Sequence, residues 1–242
     1  MIIGINNKIP TSNTNKNEWL PTDEPNLIAW YRHNVGVQKA LDGTDKVVQW
    51  SDQSGNGNHM IQNDDGEMPI FDANGAVVRF DKTSDTQNLF LISGRNIELD
   101  DAFMIGIRMN PDFTGCVVLG SNSTNNELMK INSTSVFRIR NDVSGNVDFT
   151  LSISDGSTKD DSAWTISRKP GSGAQTTYVS KDGRILGSQP DVDGTFDIDT
   201  IGVRNSDLNP FDGDISEIII YQGLYDRRVL KSMEERLSGI NN

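Results

Sequence analysis

The stretch Val47-Val48-Gln49-Trp50-Ser51-Asp52-Gln53-Ser54-Gly55-Asn56-Gly57-Asn58-His59 decides the fold of this chain. It opens with an apolar, β-branched run that ends in an aromatic residue, and this predicts a short strand with one face on a core. The residues that follow are mostly Asp, Ser, Asn and Gly, whose backbones and short polar side chains favour turns. We therefore expect a loop held by local hydrogen bonds, with Trp50 buried behind it.

Three stretches elsewhere in the chain support a β-domain that ends in a helix. Leu27 to Tyr31 predicts a strand before the loop, and Ala76 to Asp81 predicts one after it. Near the end of the chain, Phe211 to Tyr221 contains an apolar run that predicts a central strand buried on both faces. Asp226 to Ser238 has apolar residues at helical spacing, with Asp at the N-cap and Gly239 after the last turn. The sequence predicts a helix there.

Short strands with turns between them fill the middle of the chain. The predicted segments are Leu89 to Leu91, Ala102 to Met109, Cys116 to Gly120, Leu128 to Ile131, Val136 to Ile139, Phe149 to Ile153, Ala163 to Arg168, Thr177 to Ser180 and Arg184 to Leu186. Asp142 to Val147 predicts one hairpin, and Lys181-Asp182-Gly183 predicts the turn of another. A strand every ~8–12 residues is typical of a sandwich or jelly roll.

These motifs resemble those of a known superfamily. The loop resembles the W-x-D-x-S-G-N-G-N signature of laminin-G-like domains in the concanavalin A-like lectin/glucanase superfamily, and the C-terminal strand resembles the family's F-x-G-x-I-x-E-hydrophobic-Y ending. The resemblance implies an all-β fold, a two-sheet antiparallel jelly-roll sandwich over residues 25–242 with a short C-terminal helix at 226–238. It also implies a set of motif residues with structural roles, namely Trp30, Trp50, Asp52, Gly55, Gly57, Gly213 and Glu217. Ser216 departs from the family, where many relatives have Asp, and this weakens any transfer of a carboxylate site.

Charge and cysteine content exclude several classes of protein. The 242 residues include 22 Lys and Arg against 34 Asp and Glu, a formal net charge of -12. Nucleic acids and anionic membranes are therefore not expected as partners. Cys116 is the only cysteine, so an intrachain disulfide is impossible, and we expect it to be buried. No run reaches the roughly 18 apolar residues of a membrane span, and no signal-peptide core precedes the domain, so we expect synthesis in the cytoplasm.

The sequence does not predict catalysis. Glucanases of this superfamily carry paired carboxylates in an E-x-D-x-x-E pattern, which this chain lacks. Asp214 and Glu217 form the nearest acidic pair, but their spacing on a regular strand predicts opposite faces. His33 and His59 are the two histidines, and neither lies in a nucleophile elbow. We expect a protein that is not an enzyme.

Acidic loops and exposed aromatic residues are the possible ligand sites. Five aspartates, Asp52, Asp64, Asp65, Asp212 and Asp214, either form turns or hold a structural calcium ion through carboxylate oxygens. We expect no other cofactor. Glycan binding needs an aromatic ring beside hydrogen-bonding groups, and Trp164 and Tyr178 are the predicted aromatic residues.

Residues 1–24 are polar, and we interpret them as an extended N-terminal arm. Four isoleucines, Ile2, Ile3, Ile5 and Ile9, give the arm apolar side chains with which it could dock on a neighbouring subunit, and a disordered tail is the alternative. Combined with the lectin-like domain, the arm favours a structural protein of a virion surface, a decoration or tail appendage protein of a tailed bacteriophage whose partners are other virion subunits or itself. The alternative is a carbohydrate-binding adhesion module for host-surface glycans, assisted in one version by calcium.

Overall fold

The computed structural model describes residues 19–82, 87–91, 95–122, 127–141, 145–170, 175–191, 194–204 and 208–239. The strands in chain order are β1 (Leu27–Arg32), β2 (Val37–Lys39), β3 (Val47–Trp50), β4 (Met60–Ile61), β5 (Ile70–Asp72), β6 (Val77–Phe80), β7 (Leu89–Leu91), β8 (Ile97–Leu99), β9 (Phe103–Pro111), β10 (Cys116–Gly120), β11 (Glu127–Ser133), β12 (Val136–Asn141), β13 (Gly145–Thr150), β14 (Ser162–Lys169), β15 (Gln175–Lys181), β16 (Arg184–Asp191), β17 (Phe196–Ile198), β18 (Thr200–Ile201) and β19 (Gly213–Gln222). The α-helix α1 (Arg227–Gly239) follows them, and two single 3-10 turns lie at Pro21–Asp23 and Ile153–Asp155.

Two antiparallel sheets form the body of the protein. The first sheet has the order β16-β15-β14-β9-β19-β6-β5, and β1 also pairs with β19. Because β19 is long, β6 and β1 lie end to end along one of its edges while β9 pairs with the other. The second sheet has the order β13-β12-β11-β10-β18-β7-β4-β3-β2, and β8 pairs with β17 apart from both sheets. The predicted all-β sandwich with a short C-terminal helix is confirmed.

The inner faces of the two sheets enclose the main core. Its largest side chains include Trp50, Phe80, Phe103, Phe137 and Trp164, and all five are fully buried. Burial of side chains of this size stabilises the fold by ~1.5–3 kcal/mol each, before the cost of ordering the chain. β19 lies in the centre of its sheet with Ile218 and Ile220 in this core, as the apolar run predicts.

The helix covers part of the outer face of the first sheet. Val229, Met233 and Leu237 are buried there in a second, smaller core. The closest approach is at Gly106 of β9, where a Cβ atom would lie 2.6 Å from the Met233 sulfur and 2.8 Å from a Leu237 methyl group. Glycine is needed at this position because any side chain would enter the space that the helix fills.

Most of the predicted boundaries agree with the structure. Val47–Trp50, Leu89–Leu91 and Cys116–Gly120 are strands as predicted, and α1 is shifted from its predicted range by one residue at each end. Asp182 and Gly183 have φ of 50° and 75°, the positive values that a two-residue hairpin turn requires. The predicted strand from Phe149 to Ile153 ends instead at Thr150. The 142–147 hairpin joins β12 to β13, with residues 142–144 of its tip outside the described residues.

The folded part of the chain extends further towards the N-terminus than the predicted boundary at Pro25. Trp19 packs against the second core, and Tyr221 donates a hydrogen bond of 2.8 Å to the carbonyl of Pro21. Glu24 forms an ion pair of 2.6 Å with Arg228 of α1, and this interaction lowers the pKa of the Glu24 carboxyl. Residues 19–24, which the sequence assigned to the arm, therefore belong with the sandwich. The four isoleucines of the arm lie outside the described residues.

Candidate functional site

Asp52 organises the signature loop. One carboxylate oxygen accepts hydrogen bonds from the backbone N–H groups of Trp30 at 2.9 Å and Ser54 at 2.8 Å. The other accepts from the Ser54 hydroxyl at 2.7 Å and from the backbone N–H of Asn58 at 3.0 Å. Three of these hydrogen bonds to the buried carboxylate lie within the loop, and the one from Trp30 ties the loop to β1. Gly55 and Gly57 have φ of 91° and 74°, the conformation for which glycine was predicted.

The remaining motif residues also have packing roles. Trp50 is buried in the main core, as predicted, and its ring N–H donates to the carbonyl of Arg32 at 2.8 Å. Trp30 lies in the smaller core under α1, and its ring N–H donates to Glu217 at 2.6 Å. Arg236 of the helix donates to the same carboxylate oxygen at 2.8 Å. Gly213 has φ of 138° and lies against the backbone of β9, where a side chain would not fit.

Asp214 and Glu217 share a face of the sheet, contrary to the sequence prediction. The register of β19 against β9 shifts between Ile215 and Glu217, and this bulge breaks the two-residue alternation. Asp214 faces outward to Arg79, with 3.1 Å between the charged groups, while Glu217 faces Trp30 and Arg236. Each carboxylate is therefore occupied by its own cation, and burial raises the pKa of Asp214. The two residues do not form a catalytic carboxylate pair.

Four of the five aspartates considered for calcium take part in turns or ion pairs, namely Asp52, Asp64, Asp65 and Asp214. Asp64 accepts a hydrogen bond of 2.9 Å from the backbone of Gly66, and Asp65 pairs with Lys46 at 2.7 Å. Burial and neighbouring carboxylates raise the pKa of Asp212. In the ranges that the structure describes, no group of three or more His, Cys, Asp or Glu residues lies close enough to hold a metal ion.

The histidines and the cysteine lie in structural positions. His59 accepts a hydrogen bond of 3.1 Å from the backbone N–H of Asp52, and His33 donates one of 3.0 Å from Nδ1 to the carbonyl of Ser216. Cys116 is buried, as predicted, and burial raises its pKa to about 11. A thiol of that pKa is a poor nucleophile at neutral pH.

The prediction that Trp164 presents an exposed ring is wrong. Its side chain is fully buried and stacks on Phe137, with 4.7 Å between the ring centroids. The alternation of side chains along β14 indicates this burial. Trp164 and Ile166 point into the core, whereas Thr165 and Ser167, which alternate with them, face outward. Trp164 is a core residue and is not part of any binding surface.

Tyr178, the other predicted residue, lines an open groove of about 640 Å³ on the outer face of the first sheet. Thr165 and Ser167 of β14 and Tyr178 and Ser180 of β15 form the floor. Tyr178 is the half-buried part of this floor, whereas Thr165, Ser167 and Ser180 are largely buried, and α1 covers β9 and β14 beside them. We call this space the tyrosine groove.

The helix and two loops form the walls of the tyrosine groove. Leu230, Lys231, Glu234 and Ser238 of α1 line it, as do Ile185 and the Asp182–Gly183 turn, which comes close to Glu234. Tyr225, which precedes the helix, places its ring centroid 6.3 Å from that of Tyr178, with the two rings tilted by 34°. Sequence reasoning missed Tyr225, since nothing in the order of residues indicates that the segment before α1 folds back over β15.

The polar groups of the tyrosine groove are held in place. Glu234 accepts a hydrogen bond of 3.0 Å from the Thr165 hydroxyl, and Asp182 accepts one of 2.9 Å from the backbone of Ala163. Two half-buried aromatic rings thus lie beside hydroxyl, carboxylate and cationic groups in a volume typical of small-ligand sites. Such a surface can stack against an apolar face of a ligand and hydrogen-bond to its polar edge.

No helix of the described residues is both long enough and apolar enough to cross a membrane. A comparison with protein-family models gave no match to the chain, and a search of curated proteins gave none.

Solved structures, in contrast, share its fold. Domain 4 of AbnA, a GH43 extracellular arabinanase from Geobacillus stearothermophilus in complex with arabinotriose, is 16% identical at a TM-score of 0.50, with 87% of this chain and 97% of that domain covered. An arabinofuranosidase complexed with arabinofuranosyl-alpha-1,2-xylobiose is 15% identical at a TM-score of 0.49, with coverages of 79% and 50%. The receptor-binding domain of botulinum neurotoxin type G is 16% identical at a TM-score of 0.48, with coverages of 88% and 51%. The chain spans about half the length of the last two, and what it shares with the arabinanase domain is the β-sandwich fold.

Proposed function

We propose that this protein binds glycans without modifying them, and that the tyrosine groove is the binding site. The observation that carries the proposal is the pair of half-buried rings, Tyr178 and Tyr225, beside the hydroxyl groups of Thr165, Ser167 and Ser180. A sugar ring has an apolar C–H face and a rim of hydroxyl groups. It therefore needs this combination of an aromatic surface and hydrogen-bonding partners.

One further feature supports binding rather than catalysis, and another supports only the fold on which the proposal rests. Glu234 and Asp182, two carboxylates that line the groove, each accept a hydrogen bond from the protein itself. The arabinanase domain with the same sandwich was solved with arabinotriose, although at 16% identity this supports the fold and not the ligand.

The experiment is a glycan-array screen followed by calorimetric titration of the best ligand. Tyr178→Ala and Tyr225→Ala should each weaken binding by about tenfold or more, since truncating an aromatic residue at the centre of a contact commonly costs that much. Phe113→Ala is the matched control, because Phe113 is an exposed aromatic residue outside the groove and its loss should leave the affinity unchanged. Binding that survives both tyrosine substitutions would refute this assignment of the site.

The virion-surface hypothesis stays a prediction, as do the laminin-G-like assignment and calcium assistance. Attachment through the arm depends on Ile2, Ile3, Ile5 and Ile9, which lie outside the described residues. Copurification of the full-length chain, but not of a chain lacking residues 1–18, with phage particles would support it. The virion-surface and glycan-binding hypotheses are compatible, because a virion protein can also bind host glycans.

A further inference from the structure

A second groove, of about 460 Å³, lies on the opposite flank of α1 from the tyrosine groove. Its lining residues include Trp19, Arg32, His33, Asn34, Ser232 and Arg236. It forms where β1 ends beside β19 and the last turns of the helix pass over them. We call it the arginine groove.

The lining of the arginine groove has two arginines and two glutamates, and Arg32 is the arginine without a carboxylate partner among the described residues. Arg236 is neutralised by buried Glu217, with 2.8 Å between the two groups, and Glu235 pairs with Lys231 at 3.6 Å. Burial lowers the pKa of His33, so its ring is uncharged at neutral pH. Arg32 stacks on Trp30, with its guanidinium carbon 5.0 Å from the ring centroid, and pairs with no carboxylate of the residues that the structure describes.

We propose that the arginine groove binds the oxyanion group of an acidic ligand, a carboxylate, sulfate or phosphate, through the guanidinium of Arg32. Stacking on Trp30 fixes the plane of the guanidinium, whose fork of N–H donors matches two oxygens of one anion. The Asn34 amide and the Ser232 hydroxyl add neutral donors at the rim. The groove shares one lining residue, Glu235, with the tyrosine groove, and the two sites are otherwise separate.

The overall negative charge of the protein makes anion binding a specific test of the proposed site. At a net charge of -12, the chain as a whole repels anions, so saturable anion binding requires a local cationic site. Such binding should weaken with added salt, because Arg32 lies in an open groove where counterions screen it.

The test is a calorimetric titration of the full-length protein with three probes at matched ionic strength: glucuronate, glucose and inorganic phosphate. Glucuronate should saturate through Arg32, whereas any binding of glucose should not depend on Arg32. Arg32→Gln should weaken glucuronate binding by about tenfold or more. Arg79→Gln removes the same charge from β6, at a residue that lines neither groove, and should leave the affinity within about twofold.

Each remaining outcome decides the proposal. Phosphate binding that depends on Arg32 would show that an oxyanion without a sugar is enough for binding. Glucuronate binding without phosphate binding would show that the sugar ring also contributes. Both outcomes support the site. Glucose and glucuronate binding that depend equally on Arg32, equal loss in Arg32→Gln and Arg79→Gln, or no saturation by any anion would overturn it. If Arg32→Gln melts at a lower temperature than wild type, Arg32→Lys keeps the charge without the fork and should show an intermediate affinity. Loss of glycan binding in Tyr178→Ala with glucuronate binding retained would show that the two grooves act independently.

Discussion

Replacing Asp52 with alanine should destabilise the protein more than any other single change in the signature loop. The substitution removes all four hydrogen bonds that the carboxylate accepts. The Ser54 groups lie near the surface and can bond to water, but the N–H groups of Trp30 and Asn58 are bonded in a buried setting and would be left without partners. At ~1–3 kcal/mol for each unsatisfied buried group, Asp52→Ala should lower the free energy of unfolding by about 2–6 kcal/mol.

Urea denaturation followed by tryptophan fluorescence measures this loss directly. Asp64→Ala is the matched control, because Asp64 also accepts a backbone hydrogen bond in a turn, but that turn is exposed. It should cost less than about 1 kcal/mol. Asp52→Asn should fall between the two, since it keeps one acceptor oxygen but turns an N–H₂ group towards a backbone N–H.

Two results would refute this reasoning. A loss for Asp52→Ala no greater than that for Asp64→Ala would mean that the carboxylate does not hold the loop to β1. A melting temperature that falls on addition of EDTA in wild type, but not in Asp52→Ala, would mean that the carboxylate acts through a bound cation and not through the backbone.

Three other predictions test the core, the N-terminal boundary and the cysteine. Trp50→Ala should cost about 3–5 kcal/mol in urea denaturation because it leaves a cavity in the main core, and an unchanged midpoint would contradict its burial. Deleting residues 1–18 should leave the melting temperature of the monomer unchanged. Deleting residues 1–24 should lower it, because the hydrogen bond from Tyr221 to the Pro21 carbonyl and the ion pair of Glu24 with Arg228 are lost. Equal melting curves for the two deletions would show that these contacts do not stabilise the protein. Cys116, with its pKa raised to about 11, should react with a thiol reagent at mildly alkaline pH far more slowly when folded than in denaturant, and fast reaction of the folded protein would show that it is accessible.

The sequence predicted the fold well because its signals were local. The run Val47 to Trp50, the Asp182–Gly183 turn and the stripe on α1 each specify a structure through neighbouring residues, and all three are confirmed. Strands such as β2, β4 and β8 were missed, because two or three residues are too few to show a period. They form through pairing, β8 with the distant β17 and β2 with its neighbour β3.

The site was harder to predict because it depends on which elements meet. Tyr178 was identified from its position in a hairpin strand, but its neighbour Tyr225 and the arginine groove depend on where α1 packs. The error at Asp214 and Glu217 has a different cause, since a one-residue bulge reverses an alternation that the residue types do not reveal. Packing and register, rather than residue type, account for these differences.

The contact between α1 and Gly106 links the shapes of the two grooves. The helix is a wall of both, and it can lie this close to the sheet only because position 106 has no side chain. A substitution there that lifts the helix would change both binding surfaces at once. To change the specificity of one groove alone, substitutions should therefore be made away from the helix. Ile185 is such a position in the tyrosine groove and Asn34 in the arginine groove, and α1 then keeps its place.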